Sequence, residues 1–159
     1  RTVMNRQRRE ILKKGGGLAL FGALVAAGVL RPSDVRAVEW NKEAFQSKTL
    51  ADALKALGAT ATENTADVVI TAPAIAENGA VVPVTVTSNL PKTESIALLV
   101  EKNPNLLAAV FTIPEGTEPH VTTRIKMSES SDVYALVRAD GKFYTVAKEI
   151  KVTLGGCGG

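Results

Sequence analysis

"DVYALVRADGKFYTVAKEIKVTL", residues 132–154, is the stretch that decides the fold. Two runs rich in Val, Tyr, Ile and Thr flank Asp140-Gly141, a dipeptide that tolerates the positive φ values of a tight hairpin turn. The second run alternates. Phe143, Thr145, Ala147, Glu149 and Lys151 take one face, and Tyr144, Val146, Lys148, Ile150 and Val152 take the other. A period of two is the signature of a strand. The same texture recurs upstream at 66–73, 80–88, 95–102, 106–113 and 120–128, broken by "ENGA", "SNLPKTE", "KNPN", "PEGTEP" and "SESS". Short strands at this spacing predict a mainly β chain folded as an immunoglobulin-like antiparallel β-sandwich over 61–154. Pro83 within "AVVPVTVTS" predicts an edge strand or a bulge, because proline lacks the N–H that a central strand must donate.

Ahead of Gly58 the pattern is helical. In "VEWNKEAFQSKTLADALKALGA", residues 38–59, Ala44, Phe45, Leu50, Ala53, Leu54 and Leu57 can share a face. Thr49 followed by Asp52 resembles a capping box, with Asp in place of the usual Glu, and Gly58 is a natural helix stop. We expect short helices near 41–47 and 50–57 in a helical segment spanning 38–60, with Trp40 and Phe45 fastening it to the sandwich.

The N-terminal stretch reads as an export signal over 1–37. "NRQRREILKK" at 5–14 is basic apart from Glu10, and "GGGLALFGALVAAGVL" at 15–30 is 16 residues without a charge. A transmembrane helix needs roughly 20 apolar residues, so a secretory leader fits better than an anchoring helix. The pair Arg8-Arg9 followed by Ile11, Leu12 and Lys13 resembles the twin-arginine signal. It departs from it at Gln7, where Ser or Thr is common, and at Ile11, where Phe is common. Cleavage after "VRA" would leave Val38 first, and the expected location is a bacterial periplasm. The leader also accounts for the basic charge. The chain carries 19 Lys/Arg and 16 Asp/Glu. Eight and two of these fall in 1–37, leaving 11 and 14 beyond, a net −3. The basic balance is therefore no argument for nucleic acid or for a membrane partner after export.

The chemistry-bearing inventory of 38–159 is short. His120 is the only histidine and Cys157 the only cysteine. A metal site of ordinary His/Cys composition needs several such ligands, so we expect neither a metal nor another cofactor. There is no Gly-rich phosphate loop, Gly-x-Ser-x-Gly or His-Glu-x-x-His motif. His120 reads as a strand-edge histidine, Glu129 and Asp132 as a solvated turn, and Asn103 and Asn105 around Pro104 as loop. No catalytic residue is expected, and the chain is read as a non-enzyme.

What stands out is "LGGCGG", residues 154–159. Leu154 is the last residue that could pack in a strand. Gly155, Gly156, Gly158 and Gly159 impose the least backbone restriction of any residue and predict a flexible arm over 155–159. Three residues from Leu154 to Cys157 reach at most about 10 Å, and a bare glycine backbone presents a thin cross-section to a narrow channel. With an ordinary thiol pKa near 8.5, only about 3% of Cys157 would be thiolate at pH 7. A thiol with reach but no activation suits a carrier that other proteins' active sites act upon.

Together, the leader, "TLADALKALG", the β-rich body and the terminal "GGCGG" resemble the Y-subunit family of Sox sulfur carriers over the whole chain. That resemblance implies a periplasmic covalent carrier of thiosulfate-derived intermediates attached to Cys157. It implies a heterodimer with a Z-type subunit, which has no leader of its own and would leave with this one. A c-type cytochrome would load thiosulfate, a hydrolase would release sulfate, and a molybdenum sulfur dehydrogenase would oxidise the remaining sulfane. Two rivals remain. One is an Ig-like assembly module joined to a partner by an intermolecular disulfide through Cys157. The other is a Gly-Gly thiocarboxylate carrier, which the export signal and the absence of periplasmic ATP disfavour.

Overall fold

The computed structural model describes residues 41–155. They belong to one compact unit, Asn41–Gly159. The export signal of 1–37 with Arg8 and Arg9, and the anchor proposed for Trp40, lie outside the described residues.

Two short helices come first, α1 (Lys42–Gln46) and α2 (Leu50–Ala56). Each begins on a side-chain cap. Asn41 Oδ1 accepts from the Ala44 amide at 3.0 Å, and Thr49 Oγ1 accepts from the Asp52 amide at 3.1 Å. The Asp52 carboxylate accepts in turn from the Thr49 hydroxyl at 2.7 Å. Gly58, at φ +82°, ends α2 in a Schellman arrangement: its amide donates to Lys55 O and the Ala59 amide to Leu54 O. Asn41 Nδ2 also donates to Ala56 O at 2.7 Å, tying the start of one helix to the end of the other.

Eight strands follow: β1 (Val68–Thr71), β2 (Ile75–Ala76), β3 (Val82–Ser88), β4 (Thr93–Val100), β5 (Leu107–Thr112), β6 (His120–Ile125), β7 (Ser131–Ala139) and β8 (Lys142–Val152). They form a three-stranded sheet, β1-β3-β6, and a five-stranded sheet, β2-β8-β7-β4-β5. The chain is thus a mainly β, immunoglobulin-like sandwich. The β7–β8 hairpin turns on Asp140 (φ +48°) and Gly141 (φ +75°), two successive left-handed residues as a type I′ turn demands.

Some details depart from the sequence reading. The seven expected strands are joined by β2, which pairs parallel with the end of β8, Ile75 beside Lys151 and Ala76 beside Val152; a two-residue strand is too short to leave a pattern. Pro83 lies in the central strand of its sheet, not an edge strand. It is tolerated because β1 pairs only with Thr85–Ser88, so at position 83 the strand has β6 on one side, with Arg124 opposite, and no β1 partner on the other.

The five-stranded sheet is buried on both faces. Toward the smaller sheet, Ile96, Leu98, Val100, Val133, Ala135, Val137 and Ile150 pack with Val82, Val84, Val86 and Met127. Toward the helices, Ala97, Leu99 and Leu136 pack with Ala44, Ala53 and Leu107, with Phe45 and Phe143 against them. The alternation read in β8 has this cause: Tyr144, Val146 and Val152 lean on the inter-sheet core, and Phe143 leans on the helical layer. Asp132 is a strand residue opposite Glu149, rather than part of a turn.

Tyr134 sits on the helix side of β7, its hydroxyl donating to Glu101 Oε2 at 3.4 Å. Burial first, then the nearby charges of Glu101 and Asp132 and the hydrogen bond to Glu101, push its pKa above the usual phenol value.

Two outcomes test this architecture. Leu99→Ala should lower the unfolding free energy by about 2–5 kcal/mol in urea titration, because its side chain is fully buried between sheet and helices. The raised pKa of Tyr134 means that the folded chain keeps the phenol proton longer than the unfolded chain. Its contribution is intact below about pH 10, the unfolded value, and is lost as pH rises from there through the folded value. Urea midpoints measured at pH 9 and pH 11 should therefore fall further in the wild type than in Tyr134→Phe.

Candidate functional site

The tail leaves the body at the end of β8, where the 74–79 and 126–130 segments converge on it. Lys151 N donates to Ala74 O at 3.0 Å, and Thr153 N donates to Ala76 O at 3.1 Å. Thr153 Oγ1 adds a bond to Glu77 O at 3.0 Å. The Gly79 amide then donates to Leu154 O at 2.7 Å, while Gly79 O accepts from the Met127 amide at 2.7 Å. Gly79 thereby links the 153–155 segment to 126–128. On the other flank, Ser130 Oγ accepts from Val152 N at 2.9 Å and donates to Val152 O at 3.4 Å.

Leu154 is not a packed strand residue. The strand ends at Val152, and the Leu154 side chain is 64% exposed; its backbone carbonyl, not its side chain, holds it in place. Gly155 is half-buried. A Cβ added to it would collide with the carbonyl oxygen of Ser128. Glycine at 155 therefore answers a steric demand of close backbone approach, a requirement that the run of glycines did not disclose.

Ser128 is itself held by a residue the sequence reading left as loop. Asn103, between β4 and β5, accepts at Oδ1 from Ser128 N at 2.9 Å and from Ser128 Oγ at 3.1 Å. Its Nδ2 donates to Lys126 O at 2.7 Å. No local signal marks this reach across about 25 positions; a small polar residue beside a proline only announces a turn.

The remaining expected site residues are distributed as follows. Cys157, Gly156, Gly158 and Gly159 lie outside the described residues. His120 opens β6, the edge of the smaller sheet, with Nδ1 2.9 Å from Thr87 Oγ1 and Nε2 3.5 Å from Thr122 Oγ1. These threonines occupy the ring nitrogens on an exposed sheet face. Among the described residues no group of three or more His, Cys, Asp or Glu side chains could hold a metal ion. No helix among them is long and apolar enough to cross a membrane.

Known proteins resemble the chain as follows. Residues 53–157 match the family of the sulfur oxidation protein SoxY, a match that extends to Cys157. No curated protein matches the sequence. Among solved structures, the sulfur carrier protein SoxY from Chlorobium limicola f thiosulfatophilum is 34% identical, covering 72% of this chain and 100% of its own, with a TM-score of 0.62. A structure of the bacterial superantigen toxic shock syndrome toxin-1 is 14% identical over 54% of this chain and 98% of its own; its TM-score of 0.37 carries no argument. With its two-sheet body shared with a solved SoxY and the family match running from α2 to the cysteine of the tail, the chain belongs to the SoxY family of sulfur oxidation proteins.

Proposed function

We propose that the chain is a periplasmic carrier that holds thiosulfate-derived sulfur covalently on Cys157 and presents it to partner enzymes. The observation that carries this reading is the family match reaching Cys157, the only cysteine. The fold adds that the tail departs from a root hydrogen-bonded to the 74–79 segment and to Ser130.

In this reading loading is an oxidation. The Cys157 thiol and thiosulfate join through a new S–S bond, one proton leaves, and two electrons pass to the haems of a c-type cytochrome partner. Hydrolysis by a second partner then adds water across the bond to the terminal sulfone group. Sulfate and a proton are released, and a persulfide stays on Cys157. A molybdenum sulfur dehydrogenase oxidises that sulfane further. The carrier supplies none of this chemistry. Its contribution is a slender tether: Gly156, Gly158 and Gly159 give Cys157 freedom and clearance to enter each partner's cleft. A Z-type subunit completes the heterodimer, and the twin-arginine signal at Arg8-Arg9 exports the pair.

The rival assembly module predicts a stable disulfide to another polypeptide in place of a sulfur adduct. Mass spectrometry of the tail peptide from cells oxidising thiosulfate separates the two. Adducts confined to Cys157 and removed by reductant are expected; a bare thiol or only a mixed disulfide would overturn the carrier reading. Cys157→Ser should keep the fold, read by circular dichroism, and abolish thiosulfate-dependent sulfur carriage. Gly156→Val with Gly158→Val should leave the reaction of Cys157 with iodoacetamide unchanged while slowing the partner-dependent loading. Equal slowing of both would argue against clearance as the reason for glycine.

A further inference from the structure

The Asn103 side chain makes three hydrogen bonds, and all three go to one short segment. It spans the segment, donating to Lys126 O and accepting from the amide and hydroxyl of Ser128. Between them, Met127 is fully buried in the inter-sheet core, and its amide bonds to Gly79 O. The segment is thus gripped from three directions, and Ser128 is held through its amide and hydroxyl. Its carbonyl occupies the space a side chain at position 155 would need. The Leu154 carbonyl next to it is fixed by Gly79.

We propose that Asn103 is a positioning residue for the tail: through Ser128 it builds the seat into which only glycine fits at 155, and so fixes where, and in which direction, the chain departs toward Cys157. The functional consequence rests on the carrier reading above. Gly155 then serves as a fixed root, and Cys157 lies two residues beyond it, about 7 Å at full extension. Partners would meet the thiol at a defined distance from the body. A shift of the root moves the volume that the thiol can reach and so lowers its effective concentration at a partner's cleft.

A double-variant cycle on the full chain tests this, with two readouts. The first is loading of Cys157 with thiosulfate by the periplasmic fraction of a thiosulfate-oxidising bacterium, compared with iodoacetamide labelling of the same thiol. The second is independent of sulfur chemistry: the distance distribution between nitroxides on Cys157 and on an introduced Lys148→Cys. Gly155→Ala and Asn103→Ala should each label with iodoacetamide at the wild-type rate, load more slowly, by up to roughly 10-fold, and shift or broaden the distance distribution. Asn103→Asp keeps the acceptor for Ser128 but replaces the donor to Lys126 O with a carboxylate oxygen, and should recover only part of the loading. Because both substitutions act on the same carbonyl, the double variant should be no worse than the more affected single variant. Unchanged distances in both single variants, or losses that multiply in the double variant, would overturn the positioning role. A wild type that never loads, with distances that still shift in the variants, would overturn the carrier reading and leave the seat standing.

Discussion

The antiparallel register of β4, β7 and β8 is the constraint on which the other features rest. It sets Leu136 opposite Ala97 and Thr145, and Val137 opposite Ile96 and Tyr144. Because side chains alternate along a strand, this pairing sorts the apolar residues into two coherent faces, one for the smaller sheet and one for the helices. A slip of one residue would turn Leu98 and Val133 toward the helices and Leu99 toward the other sheet, exchanging sets shaped for different neighbours. The tight turn at Asp140-Gly141 prevents that slip by fixing Ala139 against Lys142. Burial on both faces also explains how a chain with few aromatics builds a core from Val, Ile, Leu and Ala: each central strand contributes all of its apolar residues, instead of half.

The same register carries the tail. β8 is the longest strand, 11 residues from the hairpin turn to Val152, and its far end is where the tail begins. Its position is inherited from pairing with β7 along nearly its whole length. The short parallel strand β2 borders its final residues. Beyond Val152 the ladder stops and single hydrogen bonds take over, from Thr153 to Ala76 and from Gly79 to Leu154. A root held this way is defined by backbone atoms, so it tolerates exposure of the Leu154 side chain.

Much of this was legible in the sequence, for identifiable reasons. The hairpin turn, the strand alternation and both helix ends are local signals: Asp-Gly for paired positive φ values, a period of two, Thr49 and Gly58 as caps. Each depends on residues within a few positions of one another. The features that were not legible depend on pairs far apart in the chain. Asn103 reads as a turn residue until Lys126 and Ser128 are brought beside it. Pro83 looks like an edge signal because the sequence cannot say that β1 stops pairing at Thr85. Gly155 looks like one of four equivalent glycines, and only the Ser128 carbonyl distinguishes it. Cys157 draws attention for a different reason: it is the only cysteine in the sequence and is bracketed by residues without side chains, and its role belongs to the proposed function.

Glycine in this tail therefore answers to two demands that composition cannot separate. A residue lacking Cβ is permissive where nothing touches it and obligatory where another backbone lies within reach. At Gly155 the second demand operates, and a larger residue there would have to displace the carbonyl of Ser128, a residue whose amide and hydroxyl Asn103 holds. In the proposed role, where several partners handle one thiol, the two demands would be complementary. Freedom at the tip lets one group satisfy differently shaped clefts, but every added free residue dilutes it over a larger volume and lowers its effective concentration at any one of them. Fixing the root against the sandwich limits that dilution without restricting the tip. In the proposed role, the rigid sandwich sets the origin of the tether, and the bare glycines leave its last few ångströms unconstrained.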